Sequence, residues 1–164
     1  MTQRLCRLVV KVGVFMYSAL DVASYIIKYS NEKDYGVSNL KLQKLLYFVQ
    51  AYFLIVLNIP CFYEKIEAWD FGPVVPEVYQ SYKQFGGANI PCFENVCHDI
   101  VGDVSLIKQK DKEKIEKVVD KFKDYSATDL VRLTHGQAPW REAYEPWANN
   151  VITNESIKEY FDGK

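Results

Sequence analysis

The chain has 164 residues, of which 49% are hydrophobic and 25% are charged. This length fits one domain, and this composition is that of a globular protein rather than of a disordered or low-complexity chain. With 20 basic and 21 acidic residues, the formal net charge is -1. The overall charge therefore gives no reason to bind nucleic acid or an acidic membrane surface.

The cysteines indicate reduced thiols rather than disulfides. Cys6, Cys61, Cys92 and Cys97 have no C-x-x-C spacing, and a chain of this size folds without covalent cross-links. The first sixteen residues contain an apolar run that a lysine interrupts, and no A-x-A cleavage site follows it, so we expect no secretory signal. These features predict a soluble, cytoplasmic protein.

Two helices are predicted in the first third of the chain. The first begins at Ser18, which has capping-box spacing with Asp21, and apolar residues then recur at helical intervals. The second covers residues 40–57, where Gln50 is the only polar residue after position 44. A helix without a polar face must be covered on several sides, so we expect this helix to be the buried centre of the domain. Its apolar run, residues 45–57, is shorter than the roughly 20 residues of a membrane span.

The rest of the chain predicts short elements around that central helix. Extended or hairpin elements are expected near residues 64–71 and 99–107, where β-prone residues lie between turn formers. Further helices are expected after Pro76, over residues 111–123, after Ser126 and Pro139, and after Thr153, from first-turn prolines, apolar periodicity and N-cap residues. The predicted fold class is therefore mainly α, a single compact helical domain.

Two rigid, aromatic segments are the candidate binding sites. Residues 67–74, EAWDFGPV, place two large rings beside a Gly-Pro break, and residues 135–140, HGQAPW, compress a helix end, a histidine and a Pro-Trp helix start. Restricted backbone and rigid rings fix a surface shape that suits recognition, although the second segment could equally pin two helices together. The predicted partner-binding residues are Lys44, Trp69, Phe71, Gly72, Pro73, Val74, His135 and Trp140.

Lysine 44 has two interpretations. Lys41 and Lys44 are three positions apart and so lie on one side of the central helix. They either form ion pairs with the acidic residues Glu64, Glu67 and Asp70 or meet an acidic partner, and the ion pairs are the favoured prediction.

The sequence predicts neither a metal nor a cofactor. Cys92, Cys97 and His98 are the nearest approach to a metal site, but a structural zinc needs a fourth ligand at a short spacing. Neither a phosphate-binding glycine motif nor a nucleophile motif is present. We therefore expect a protein that is not an enzyme.

Four segments resemble one known family. KLQKLLYFVQAYFLI, IEAWDFGPVVPEVYQSY, YSATDLVRLTHGQAPWREA and the terminal IKEYF occur in the order typical of the Panacea-domain family, the SocA-like antitoxins also described as phage-associated proteins. The family signature falls on Leu42, Lys44, Leu45, Glu67, Ala68, Trp69, Gly72, Pro73, Val74, His135, Pro139 and Trp140. Members commonly begin near the equivalent of residue 16, so residues 1–15 are expected to be an N-terminal extension, or a mis-assigned start, before a domain of residues 16–164.

The resemblance implies a role but not a partner. It implies a non-enzymatic cytoplasmic antitoxin that neutralises a toxin encoded beside it, either by direct binding or by delivery to a ClpXP-type protease. One alternative is a nucleic-acid-binding regulator that uses the short helices after residue 126, although Arg132 and Arg141 are a weak basic footprint. A second is a hydrolase that uses His135 with Glu67 or Asp70.

Overall fold

The computed structural model describes residues 15–92 and 102–164. Within these residues the fold is mainly helical with one small sheet, which confirms the predicted class. The helices are α1 (Ala19–Glu32), α2 (Asn39–Leu57), α3 (Pro76–Tyr82), α4 (Gln109–Lys121), α5 (Ala127–His135), α6 (Ala138–Ala143) and α7 (Asn154–Asp162), and the strands are β1 (Ile66–Trp69), β2 (Gly72–Val74) and β3 (Val151–Ile152).

Side-chain caps fix the starts of several helices, as the sequence predicts. Ser126 and Asp129 form a complete capping box at the start of α5, in which each side chain binds the other residue's backbone N–H. At α1 only half of the box forms. The Ser18 hydroxyl accepts a hydrogen bond from the Asp21 N–H, but the Asp21 carboxylate accepts one from the Asp103 N–H at 2.7 Å.

Helix α2 is the centre of the fold. It begins after the N-cap Ser38, ends at Asn58 in the left-handed conformation, and packs against α1, α3, α4, α5, α7 and β2. Its length and mean hydropathy of 1.4 would suffice to cross a membrane, but 72% of its apolar window is buried in the protein. The length of the apolar run therefore does not distinguish a core helix from a membrane span. Burial is the observation that fits a core helix.

The sheet lies against α2 and has the strand order β2-β1-β3, with both pairs antiparallel. The hairpin of β1 and β2 confirms the predicted element near residues 64–71. Ile66 pairs with Ile152 and Glu67 with Val151, so the segment before α7 pairs with the hairpin. The second predicted extended element is wrong where it can be compared. Val104–Leu106 is a 3-10 turn, capped by the Asp103 side chain, and residues 99–101 lie outside the described residues.

Tyrosine–carboxylate hydrogen bonds join α1 to α4. Tyr25 donates to Glu116, Tyr29 donates to Asp120 at 3.0 Å, and Tyr35 donates to the same carboxylate at 2.9 Å. Tyr25 and Tyr29 are one helical turn apart, as are their acceptors, so the two helices match in register. Burial and the Asp120 carboxylate raise the pKa of Tyr29 to about 12, which keeps the hydroxyl protonated as a donor.

Some predictions fall on residues outside the described part of the chain. These are most of the extension at residues 1–15, together with Cys6, Cys97 and His98. Of the described cysteines, Cys61 is a buried free thiol and Cys92 an exposed one.

Candidate partner-binding site

The two aromatic segments predicted from the sequence lie against each other. The indole Nε1 of Trp140 donates a hydrogen bond to the Trp69 carbonyl oxygen at 2.8 Å, and β2 packs against α5. The Tyr144 hydroxyl donates to Asp70 Oδ1 at 2.8 Å. We call this arrangement the junction: the β1–β2 hairpin (residues 66–74) and the segment from His135 to Tyr144.

Lys44 connects helix α2 to the hairpin. Its side chain is fully buried, and its Nζ donates a hydrogen bond to the Pro73 carbonyl oxygen at 2.9 Å. Among the described residues no carboxylate lies within ion-pair distance of Nζ. Burial without a counter-charge lowers the pKa of the Lys44 amine to about 7. A titratable group in this state is a frequent mark of a functional position.

The favoured ion-pair prediction for the two lysines is therefore wrong. Lys41 Nζ donates to the Lys123 carbonyl oxygen at 3.0 Å, and Lys44 Nζ binds the Pro73 carbonyl. Neither lysine pairs with Glu64, Glu67 or Asp70, because both ammonium groups donate to backbone carbonyl oxygens of neighbouring segments instead.

Gly72 is required by the close approach of the hairpin to this lysine. Its φ of +100° lies in the region that side chains disfavour, and a Cβ atom there would be 2.8 Å from Lys44 Cε and 2.8 Å from Thr134 Oγ1. The glycine thus lets the hairpin turn lie directly on α2 and α5.

A ladder of three stacked rings contacts the hairpin at Trp69 and Asp70. His135 stacks on Trp140 with ring centroids 3.9 Å apart, and Trp140 stacks on Tyr144 at 4.6 Å. Trp140 is 9% exposed, so it is a buried member of this ladder. The hydrogen bond to Asp70 raises the pKa of Tyr144 and ties the end of the ladder to the hairpin tip.

The environment of His135 favours its neutral form. Burial lowers the pKa of the imidazole, the Lys44 charge lowers it further, and a hydrogen bond to the Asp70 backbone opposes both effects. Its Nε2 atom is buried and has no hydrogen-bond partner in the described part of the protein. One ring face stacks on Trp140 and Nε2 is buried, which suits a supporting residue better than a general base.

Two further polar residues of α2 hold the junction and were not identified from the sequence. Gln43 Oε1 accepts a hydrogen bond from the Val75 N–H at 3.0 Å, and the Tyr47 hydroxyl donates to Gln137 Oε1 at 2.9 Å. Together with Lys44 they place three buried polar side chains within two turns of α2. That clustering was the available signal, since buried polar side chains need partners.

Exposure separates the predicted binding residues into three groups. Phe71, at the tip of the hairpin, is 65% exposed. Trp69 and His135 are half-buried, and the Trp69 indole donates to Glu67 Oε2 at 2.8 Å. The residues that are buried are Lys44, Gly72, Pro73, Val74 and Trp140. Of the predicted residues, Phe71 is thus exposed to solvent, and the buried residues form the hairpin that carries it or pack against that hairpin.

The junction offers recognition more readily than bond breaking. The Thr134 hydroxyl donates to the Leu130 carbonyl oxygen at 2.9 Å, so it is not positioned as a nucleophile, and the Glu67 carboxylate binds the Trp69 indole rather than His135. The described residues contain no group of three or more His, Cys, Asp or Glu side chains that could hold a metal ion.

Comparison with known proteins decides the family. The family model described as "Antitoxin SocA-like, Panacea domain" matches residues 42–141. The chain belongs to the SocA-like Panacea-domain family. A curated member, Antitoxin SocA of Caulobacter vibrioides (strain NA1000 / CB15N), is 34% identical over 125 residues, which cover 73% of this chain and 66% of that protein. The chain thus spans slightly less than two thirds of this relative's length. No solved structure matches the chain.

The Panacea-domain match contains the structural core of the junction. Residues 42–141 run from the first turn of α2 into α6, and they include all eight residues predicted to bind a partner. Lys44 and Trp140 each bind the hairpin backbone, and Gly72 allows its close approach to α2, which gives the family signature a physical role. These residues build one rigid hairpin and its support.

Proposed function

We propose that this protein is an antitoxin that binds a toxin protein encoded by a neighbouring gene and thereby neutralises it. The membership of the Panacea-domain family and the similarity to Antitoxin SocA support this role. The proposal makes the protein a binding module and gives no chemical step to His135.

The observation that carries the proposal is the rigid presentation of Phe71. This phenylalanine is 65% exposed at the tip of a hairpin whose backbone is bound by Lys44 at Pro73 and by Trp140 at Trp69. Aromatic side chains, phenylalanine among them, are enriched at the cores of protein interfaces, and a segment that is ordered before binding loses less entropy on association. An exposed ring on a pre-organised tip has these properties.

Neutralisation can follow binding by two routes. The toxin is either blocked while bound or carried to a ClpXP-type protease and degraded. Both routes need the same first contact, and they differ in the amount of toxin that remains in the cell. We propose direct blocking, with toxin levels as the measurement that separates it from delivery.

Expression of the neighbouring gene product with and without this protein tests the function. We expect growth arrest by the toxin alone, restored growth on co-expression, and recovery of the two proteins together in a pull-down. Toxin abundance should be unchanged in strains with and without the protease. Loss of toxin that depends on the protease would replace blocking by delivery, and growth arrest despite co-expression would overturn the antitoxin role for this pair.

A matched pair of variants tests the contact. Phe71→Ala should lose rescue while its melting temperature stays within about 2 °C of wild type, since the ring contributes little buried area. Val56→Ala, which truncates a 52% exposed side chain at the end of α2, should retain rescue. Equal rescue by both variants would exclude Phe71 from the contact.

A further inference from the structure

Trp147 is almost fully exposed and has an unfavourable backbone conformation. Its side chain is 93% exposed, and its φ of 66° lies in the left-handed region. A bulky residue at positive φ is uncommon and costs conformational energy, and an exposed indole gains nothing from burial in the free protein. Asn149, two residues later, also has a positive φ, of 50°. The loop thus has a defined, strained shape that places an indole outside the fold.

This loop is attached to the β1–β2 hairpin at both of its ends. Before Trp147, the Tyr144 hydroxyl donates to Asp70 Oδ1 at 2.8 Å. After it, the Ala68 N–H donates to the Asn150 carbonyl oxygen at 2.9 Å, and Val151 pairs with Glu67. Phe71 and Trp147 therefore project from two joined segments at one end of the molecule.

Acidic residues outnumber basic ones in the two segments that carry the rings. Residues 66–74 contain Glu67 and Asp70, and residues 141–152 contain Glu142 and Glu145 beside one basic residue, Arg141. In a chain with nearly balanced charge, this end is locally acidic. Complementary potentials are the rule across specific interfaces and increase the rate of association.

We propose that Phe71 and Trp147 form one continuous contact surface for the toxin, and that the toxin presents apolar pockets surrounded by lysine and arginine side chains. This inference rests on the proposed antitoxin function and adds a second anchor to it. Trp147 lies beyond the matched region of residues 42–141, so the family core supplies the rigid hairpin while Trp147 adds a contact that selects this chain's own toxin.

Affinity measurements on the purified pair test the two anchors. We expect Trp147→Ala and Phe71→Ala each to weaken binding at least tenfold, and the double variant to weaken it further, as truncation of a hot-spot aromatic does. Val56→Ala is the control for truncation of an exposed apolar side chain and should change the affinity less than twofold. All variants should keep the wild-type melting temperature, because neither ring is buried.

Charge reversal tests the nature of the partner. Glu142→Lys should slow association several-fold at low salt, and the difference from wild type should shrink as salt increases, since screening weakens exposed charges. Glu113→Lys reverses the charge of another exposed glutamate, on α4, and should leave the association rate near wild type.

Failure of this inference differs from failure of the function. A wild-type protein that neither binds nor rescues from the neighbouring toxin would overturn both. Wild-type binding that the Phe71→Ala Trp147→Ala double variant retains would overturn the surface alone. A large drop in the melting temperature of Trp147→Ala would make the ring structural, and a wild-type dimer that this variant dissociates would make a second copy the occupant. Faster association of Glu142→Lys would exclude a basic partner.

Discussion

The Nζ atom of Lys44 lies 2.9 Å from the carbonyl oxygen of Pro73, at the point where the central helix meets strand β2 of the hairpin. A buried amine without an opposite charge destabilises the fold, and removal of such a group is often neutral or stabilising. The Lys44 amine lowers the stability of the fold, yet it binds the hairpin that carries the exposed Phe71 ring. This combination is expected where stability is exchanged for function.

The titration of Lys44 should make stability depend on pH. Its pKa is about 7 in the folded protein and about 10.4 in the unfolded chain. Between these values the unfolded chain binds more protons, so the free energy of unfolding contributed by this group falls as pH decreases from 10 towards 7. Relative to Lys44→Met, wild type should gain about 1 kcal/mol in the free energy of unfolding between pH 8 and pH 9.

Urea unfolding of both proteins at pH 7, 8 and 9 gives this difference directly. Groups that titrate in the same range, such as the buried Cys61 thiol, whose pKa is raised, are present in both proteins and cancel. If the free energy of unfolding changed equally with pH in wild type and Lys44→Met, the folded protein would keep Lys44 charged throughout. The amine would then not be neutral at pH 8 and 9.

Gly72 should not tolerate a side chain. Gly72→Ala brings a Cβ atom to within 2.8 Å of Lys44 Cε and Thr134 Oγ1 at a φ of +100°, so we expect a loss of about 3 kcal/mol in the free energy of unfolding from overpacking and backbone strain. Gly87→Ala is the matched control, because nothing lies within 4 Å of its Cβ position, and it should be within about 0.5 kcal/mol of wild type. Equal stabilities would show that the hairpin can move away from α2.

Trp140 should behave as a core residue. Trp140→Ala removes a ring that is 9% exposed and stacked on two others, so it should cost about 3–5 kcal/mol in the free energy of unfolding. Trp140→Phe keeps an aromatic ring but loses the hydrogen bond to Trp69 and should cost less, about 1–2 kcal/mol. Calorimetry distinguishes these changes. If Trp140→Ala had the melting temperature of wild type, Trp140 would be a partner-contact residue rather than a core residue.

Asp120 should contribute to the attachment of α4. Asp120→Ala leaves the hydroxyls of Tyr29 and Tyr35 without their acceptor and should lower the free energy of unfolding by about 1 kcal/mol. Glu113→Ala removes an exposed carboxylate from the same helix and serves as the control, with an expected change within about 0.5 kcal/mol. Additivity of Asp120→Ala with Tyr29→Phe would contradict direct coupling of the two residues.

The sequence alone determined the elements whose causes are local. Ser38 and Ser126 cap helices through bonds to the backbone three residues ahead, so spacing was enough to place α2 and α5. The central position of α2 followed from its missing polar face. The motifs of the hairpin and of residues 135–140 also sufficed to indicate the family.

The tertiary structure alone decided which aromatic residues face the solvent. Phe71 and Trp140 both lie beside rigid turns in the sequence, yet Phe71 is exposed and Trp140 is buried against Trp69. Strand β3 exists because residue 152 pairs with residue 66, which no local pattern encodes. An apolar side chain suits a core and an interface equally well, so its role depends on contacts with residues that are distant along the chain.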